Sequence, residues 1–170
     1  PEFPQVSEAA YAVILAYTEF SQTWSSLTAE QQQAWKRAEQ ENRLRFVDVH
    51  SSDKRALDVL FVALSYQFIS QEYALALNSA DRLIDWPNSL PNSAIPRQTA
   101  SEFQLQESYL IKAHSLYALK RYSEAENAYL TALAKLHKKD KRRLALIENL
   151  AATVYKQAEA LLKEDKKALA

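Results

Sequence analysis

Leu116-Tyr-Ala-Leu-Lys-Arg-Tyr-Ser-Glu-Ala-Glu-Asn-Ala-Tyr-Leu-Thr-Ala-Leu133 is the stretch that decides the fold. Ala125, Tyr129 and Ala132 stand four and three residues apart, so they share one face of a helix. The two alanines let a neighbouring helix come close, and Tyr129 fills the space beyond them. Ala113 offers the matching small residue on the helix before. Lys120 and Arg121 lie between the two periodic runs, so the turn there has to be made without glycine. The stretch predicts a tight pair of antiparallel helices.

Helix signals extend outward from this pair to both ends of the chain. Ser7 is placed to cap a first helix with Ala10, Val13, Tyr17, Phe20, Trp24 and Leu27 on its inner side. Thr28-Ala-Glu-Gln31 is a capping-box pattern and opens a second helix toward Val49. The polar middle of that helix, Gln40-Glu-Asn-Arg43, reads as half exposed. After Ser51-Ser-Asp53 the chain restarts, and Leu57, Leu60, Phe61, Leu64 and Phe68 give a third helix a broad apolar face. A fourth helix is expected from Tyr73 to Trp86. The prolines at 87, 91 and 96 remove backbone donors, so residues 87–96 read as a loop without helix or central strand. Ser101-Glu-Phe-Gln104 is a second capping box, opening a fifth helix to Leu119. A sixth begins at Arg121 or Ser123 and ends near His137, and a long seventh runs from about Lys139 to Glu164. The fold class is therefore all-α with about seven helices. Residues 4–56 form an N-terminal pair and 57–170 a series of hairpins with a long last helix, all in one compact domain.

Composition removes several classes of function. The 170 residues hold no glycine, which argues against phosphate-cradling loops, Rossmann turns and type I′ hairpins, all of which use its access to positive φ. The absence of cysteine excludes disulfides, thiol catalysis and thiolate metal sites. Lys plus Arg and Asp plus Glu are both 21, so any pull toward nucleic acid or an acidic membrane has to come from a local patch. The longest apolar runs, such as Val59–Leu64, are too short to span a bilayer. Pro1-Glu-Phe3 reads as vector-derived sequence, so the expectation is an excised domain, placed in the cytoplasm.

The segment Gln106–Leu136 resembles one unit of the tetratricopeptide repeat family, a helix–turn–helix with small and large residues at fixed offsets. Ala113 stands at the family's small residue of the helix crossing, and Tyr122 at the aromatic that starts the second helix. Lys120 replaces the usual turn glycine and His137 the usual closing proline. A weaker copy aligns Tyr73, Ala76, Ala80 and Leu83 with Tyr122, Ala125, Tyr129 and Ala132, an offset of 122 − 73 = 49 residues. That exceeds the family's typical period by about the length of the proline-rich segment. Residues before about Leu57 do not match the motif and read as a superhelical or bundle-like part. A plain helical bundle with alanine-rich contacts is the alternative architecture.

The resemblance implies a non-catalytic protein-interaction module, an adaptor, scaffold or assembly subunit, that binds a peptide or helix in a groove. By the family's pattern the groove is lined by Phe61, Ser65, Phe68, Leu110, His114, Tyr117, Leu144 and Glu148. Some family members clamp a partner's C-terminal carboxylate, but Phe61, Ser65, Ile111 and Ala145 stand at those positions, so no clamp is expected. For each groove residue the competing reading is ordinary core packing. The alternative function is a structural subunit docked permanently in a larger complex, through the N-terminal helices or the basic run 135–143.

The residues outside this pattern suggest little chemistry. No cofactor and no metal are expected, because His50, His114 and His137 have no second His or Cys at ligand spacing. No motif orients a nucleophile, so no catalytic residue is assigned. Glu39, Glu41, Asp81 and Asp85 read as solvated faces. In the basic run, Lys135, Lys138 and Lys139 suit the negative end of a helix dipole. Lys141, Arg142 and Arg143 open the following helix, where positive charge is unfavourable, so with Lys138 and Lys139 they form a candidate docking patch for an acidic protein or lipid headgroup. Nucleic acid is not expected there, since aromatic residues for base stacking are missing. Trp24 and Trp35 flank the Thr28 turn and are placed to staple the first two helices together, and Trp86 to anchor the proline-rich loop.

Overall fold

The computed structural model describes residues 4–89 and 99–168. Among these, seven helices of at least twelve residues form and there is no strand: α1 (Pro4–Phe20), α2 (Ala29–Val49), α3 (Ala56–Ile69), α4 (Tyr73–Ile84), α6 (Glu102–Ala118), α7 (Tyr122–Lys135) and α8 (Arg142–Ala168). A single helical turn, α5 (Trp86–Ser89), and a 3-10 segment, Ser21–Ser26, complete the described elements. Both capping boxes are made. The Thr28 and Ser101 hydroxyls accept from Gln31 and Gln104 N–H, and those glutamines accept from the cap N–H in return. The expectation of no helix at 87–96 is corrected at its start, because Pro87 lies in the first turn of α5, where its missing N–H has no intrahelical partner to lose. Residues 90–96 of that segment, with Pro91 and Pro96, lie outside the described residues, as do Pro1–Phe3.

Contacts divide the chain into two compact units, Pro1–Ala63 with Trp86–Thr99, and Leu64–Asp85 with Ala100–Ala170. In the first unit α1 packs on α2. The register of α1 differs from expectation. The helix starts at Pro4, so Ser7 lies inside it and is buried, while Val13 and Phe20 are exposed. The inward line runs through Ser7, Tyr11 and Ile14, again at spacings of four and three. Val13, Ile14 and Leu15 are consecutive, so the sequence offers several apolar faces and only the fit to α2 selects one. Trp24 and Leu27 fall beyond the end of α1. Trp35 does staple the pair, meeting Tyr17 and Phe20 in tilted ring contacts with centroids 5.2 and 4.6 Å apart.

The polar middle of α2 is half exposed as read, with Glu41 exposed and Asn42 partly so, but Glu39, Gln40 and Arg43 are buried. Arg43 Nη2 donates to Glu39 Oε1 at 2.5 Å and to Thr18 Oγ1 of α1 at 3.0 Å, and Thr18 Oγ1 lies 3.1 Å from Glu39 Oε1. This network overturns the reading of Glu39 as a solvated charge. A second ionic group closes the α2–α3 connection. Asp53 accepts from the Arg55 backbone and guanidinium, and Arg55 also reaches Glu8 of α1 and lies over the Tyr11 ring, 4.3 Å from its centroid.

In the second unit α4 packs on α6, α6 on α7 and α7 on α8. Its core is built as the alanine–tyrosine spacing requires. Ala113, Ala125, Tyr129 and Ala132 are fully buried together with Leu116, Leu136 and Leu146. Ala76, Ala80 and Leu83 of α4 are buried as well.

The turn before α4 and the turn before α7 have the same geometry. Gln71 and Lys120 both adopt φ 61°, the left-handed conformation that glycine usually supplies. Gln71 N–H donates to Phe68 O and Glu72 N–H to Gln67 O, while Lys120 N–H donates to Tyr117 O and Arg121 N–H to Leu116 O. The cap residues Glu72 and Arg121 follow at φ −80°, ψ 58° and φ −84°, ψ 63°. Each member of one set lies 49 residues from its counterpart (120 − 71, 121 − 72, 117 − 68, 116 − 67). The hairpin turn therefore recurs at the offset read from the aligned aromatic and small residues.

Candidate functional site

The inferred groove residues separate into distinct environments. Phe61 is half-buried in the first unit. In the second unit, Phe68 at the end of α3 contacts Tyr73 and His114, with ring centroids 6.0 Å apart in each case. His114 in turn meets Tyr129 edge-on at 5.3 Å, and the Tyr129 hydroxyl lies 2.8 Å from His114 Nδ1. Burial pushes the phenol up and the imidazole down from their ordinary values. Phenol and imidazole are therefore both held in their neutral forms, joined by one hydrogen bond at Nδ1.

Leu110 is buried in the core cluster, and Tyr117 packs against that cluster while contacting Tyr122 edge-on at 5.7 Å. Ser65 is half-buried on α3. Leu144 and Glu148 are exposed on α8. The structure therefore links Tyr73, Phe68, His114 and Tyr129 in one aromatic row, with the Tyr117–Tyr122 pair as a second contact on α6 and α7. Leu110 lies below the surface, as core packing would have it.

A different face of α6 lines an open cleft of about 350 Å³ that the sequence reading missed. Its floor is Leu77, Leu116 and Ala128, and Tyr109 stands at its side. Two ion pairs bound it: Lys112 Nζ to Asp81 Oδ1 at 2.6 Å, and Arg121 Nη2 to Glu124 Oε2 at 2.6 Å. The second pair raises Arg121 and lowers Glu124 from their ordinary values, chiefly through their mutual hydrogen bond. The two pairs balance in charge. No periodicity marks position 81 or 112, and nothing in the sequence could have paired them.

The basic run 135–143 is not one patch. Arg142 binds Asp140, Glu107 and Gln106, fixing the start of α8 to α6, and it holds the Asp140 carboxyl down to about 2. Arg143 Nη1 donates to Leu133 O at 2.5 Å and Leu136 O at 3.1 Å, so it closes the last carbonyls of α7. Positive charge at the start of α8 thus serves the end of the preceding helix. Lys138, Lys139 and Lys141 are exposed, and Lys135 sits over the Tyr109 ring.

Among the described residues, no group of three or more His, Cys, Asp or Glu is arranged to hold a metal, and no helix is long and apolar enough to cross a membrane. No protein-family model matches the chain, and no curated protein or solved structure matches it significantly.

Proposed function

We propose that this chain is a non-catalytic protein-recognition module of tetratricopeptide-like character, which receives a peptide or helix along the aromatic row of α3 and α6. The observation that carries the reading is the recurrence of one hairpin turn, with its left-handed residue and its buried small-residue face, at an interval of 49 residues. Repeated helical hairpins form rigid surfaces, and a rigid surface binds an extended or helical segment without first having to order itself. Phe68, His114 and Tyr117 are half-buried, so each keeps part of its ring available to a ligand. Aromatic residues in such positions dominate binding energy because they desolvate large areas.

The test is a displayed peptide library selected against the intact protein and then against Phe68→Ala and Tyr117→Ala variants, with circular dichroism verifying their fold. Enriched peptides should bind the folded variants at least about thirtyfold more weakly, the scale of a hot-spot residue. Peptides that bind parent and folded variants alike place recognition elsewhere. Permanent docking through the basic run has less support, since Arg142 and Arg143 are engaged within the chain and only the lysines are left for a partner.

A further inference from the structure

One face of α8 is apolar, regular and uncovered. Leu144, Ile147, Ala151, Val154, Ala158 and Leu161 are all exposed, at steps of three, four, three, four and three. That is the a/d spacing of a coiled-coil seam, sustained over five intervals. It is distinct from the face that packs on α7, which presents Leu146 and Leu150 to the core. Tyr155 and Leu162 widen one flank of the seam, and its large side chains with these two are 44–68% exposed. From ordinary side-chain sizes they offer roughly 700 Å², more than the largest apolar patch of a typical monomer and close to the ~800 Å² each partner brings to a specific interface.

We propose that this seam joins two copies of the chain, α8 against α8 in antiparallel orientation about a two-fold axis between residues 152 and 153. Three observations select this occupant. The area over two copies reaches that of a standard specific interface. In the antiparallel register each a position meets a d position of the second copy: Leu144 faces Leu161, Ala151 faces Val154, and Ala158 faces Ile147. Every alanine is then opposed by a β-branched residue, whereas a parallel pair would set Ala151 and Ala158 against their own copies and leave voids. A parallel pair would also bring together the exposed Lys138, Lys139 and Lys141 of both chains. The antiparallel pair sets the two helix starts beside them about 30 Å apart, beyond the screening length of physiological salt. The inference goes beyond the recognition reading and shares only Leu144 with it. A paired molecule would carry two copies of the aromatic row, and so could hold a bivalent target.

Sedimentation velocity of the parent between about 1 and 100 μM should show a monomer–dimer equilibrium. The Ile147→Lys/Val154→Lys variant should keep the parent's helical spectrum, both residues being exposed in one copy, and dimerise at least about a hundredfold more weakly. Ile147→Ser/Val154→Ser makes the same comparison should the lysines disturb folding. Because the chain has no cysteine, orientation can be read with single thiols. A mixture of Leu144→Cys and Leu161→Cys should oxidise to a covalent heterodimer, and Leu144→Cys alone should not. A parent that is monomeric at about 100 μM, seam variants as dimeric as the parent, or efficient self-crosslinking at position 144 would each overturn the proposal.

Discussion

Replacing Glu39 with alanine should destabilise the first unit more than any neighbouring surface change. The Glu39 and Arg43 side chains are only 12% and 9% exposed, and Arg43 Nε finds no partner among the described residues. Loss of the carboxylate leaves the guanidinium buried with the Thr18 hydroxyl as its remaining contact, and breaking a buried pair from one side costs about 3–5 kcal/mol. That is a large share of the ~5–15 kcal/mol that holds a domain folded. Arg43→Met alone strands the carboxylate and should cost a similar amount. The double variant Glu39→Leu/Arg43→Met removes both desolvated charges and is expected within about 1 kcal/mol of the parent, or more stable than it. Urea unfolding followed by tryptophan fluorescence is the assay, since Trp24 and Trp35 lie in the same unit. A Glu39→Ala midpoint equal to the parent's would refute the reasoning, because it would mean that water reaches Arg43. A double variant as unstable as either single one would show that the pair itself contributes net stability.

Three further outcomes are expected. Ala125→Leu should cost about 1–3 kcal/mol by overpacking the α6–α7 crossing, and an unchanged thermal midpoint would mean that the alanine face is not closed. Lys120→Gly should stabilise by roughly 1 kcal/mol, because glycine adopts φ 61° without a clash at Cβ; a loss of stability in chemical unfolding would contradict the left-handed turn. Burial lowers the folded pKa of His114, so its contribution is complete above the unfolded value of 6.5 and declines as pH falls below it, where the unfolded chain takes up a proton first. His114→Gln should therefore show a smaller loss of stability than the parent between about pH 7 and 5, and parallel curves would exclude His114 as the source.

What the sequence revealed was local. Thr28 and Ser101 announce their helices through contacts three residues away, and both boxes form as read. The alanine–tyrosine face is legible because residues at spacings of three and four on one helix must share a neighbour. Lys120 was read at the place of the repeat's turn glycine, and it has the positive φ that glycine usually supplies. The face of α1 was not legible, since three consecutive apolar residues satisfy more than one helical phase. Neither was the fate of Glu39 and Arg43, whose burial depends on Thr18, twenty-one and twenty-five residues away. The candidate site shares this limit. His114 and Phe68 could be named from the pattern, but the Tyr129 hydroxyl that orients the imidazole, and the carbonyls that occupy Arg143, are set by tertiary contacts.

The placement of the tryptophans has an optical consequence. Trp24, Trp35 and Trp86 all belong to the first unit, and the second has tyrosine as its only phenolic or indole chromophore. Light at the red edge of the aromatic absorption band therefore excites one half of the molecule, while far-ultraviolet ellipticity is summed over the helices of both. The wild-type chain is thus its own two-channel thermometer: superimposable traces describe one cooperative transition, and traces that part describe two.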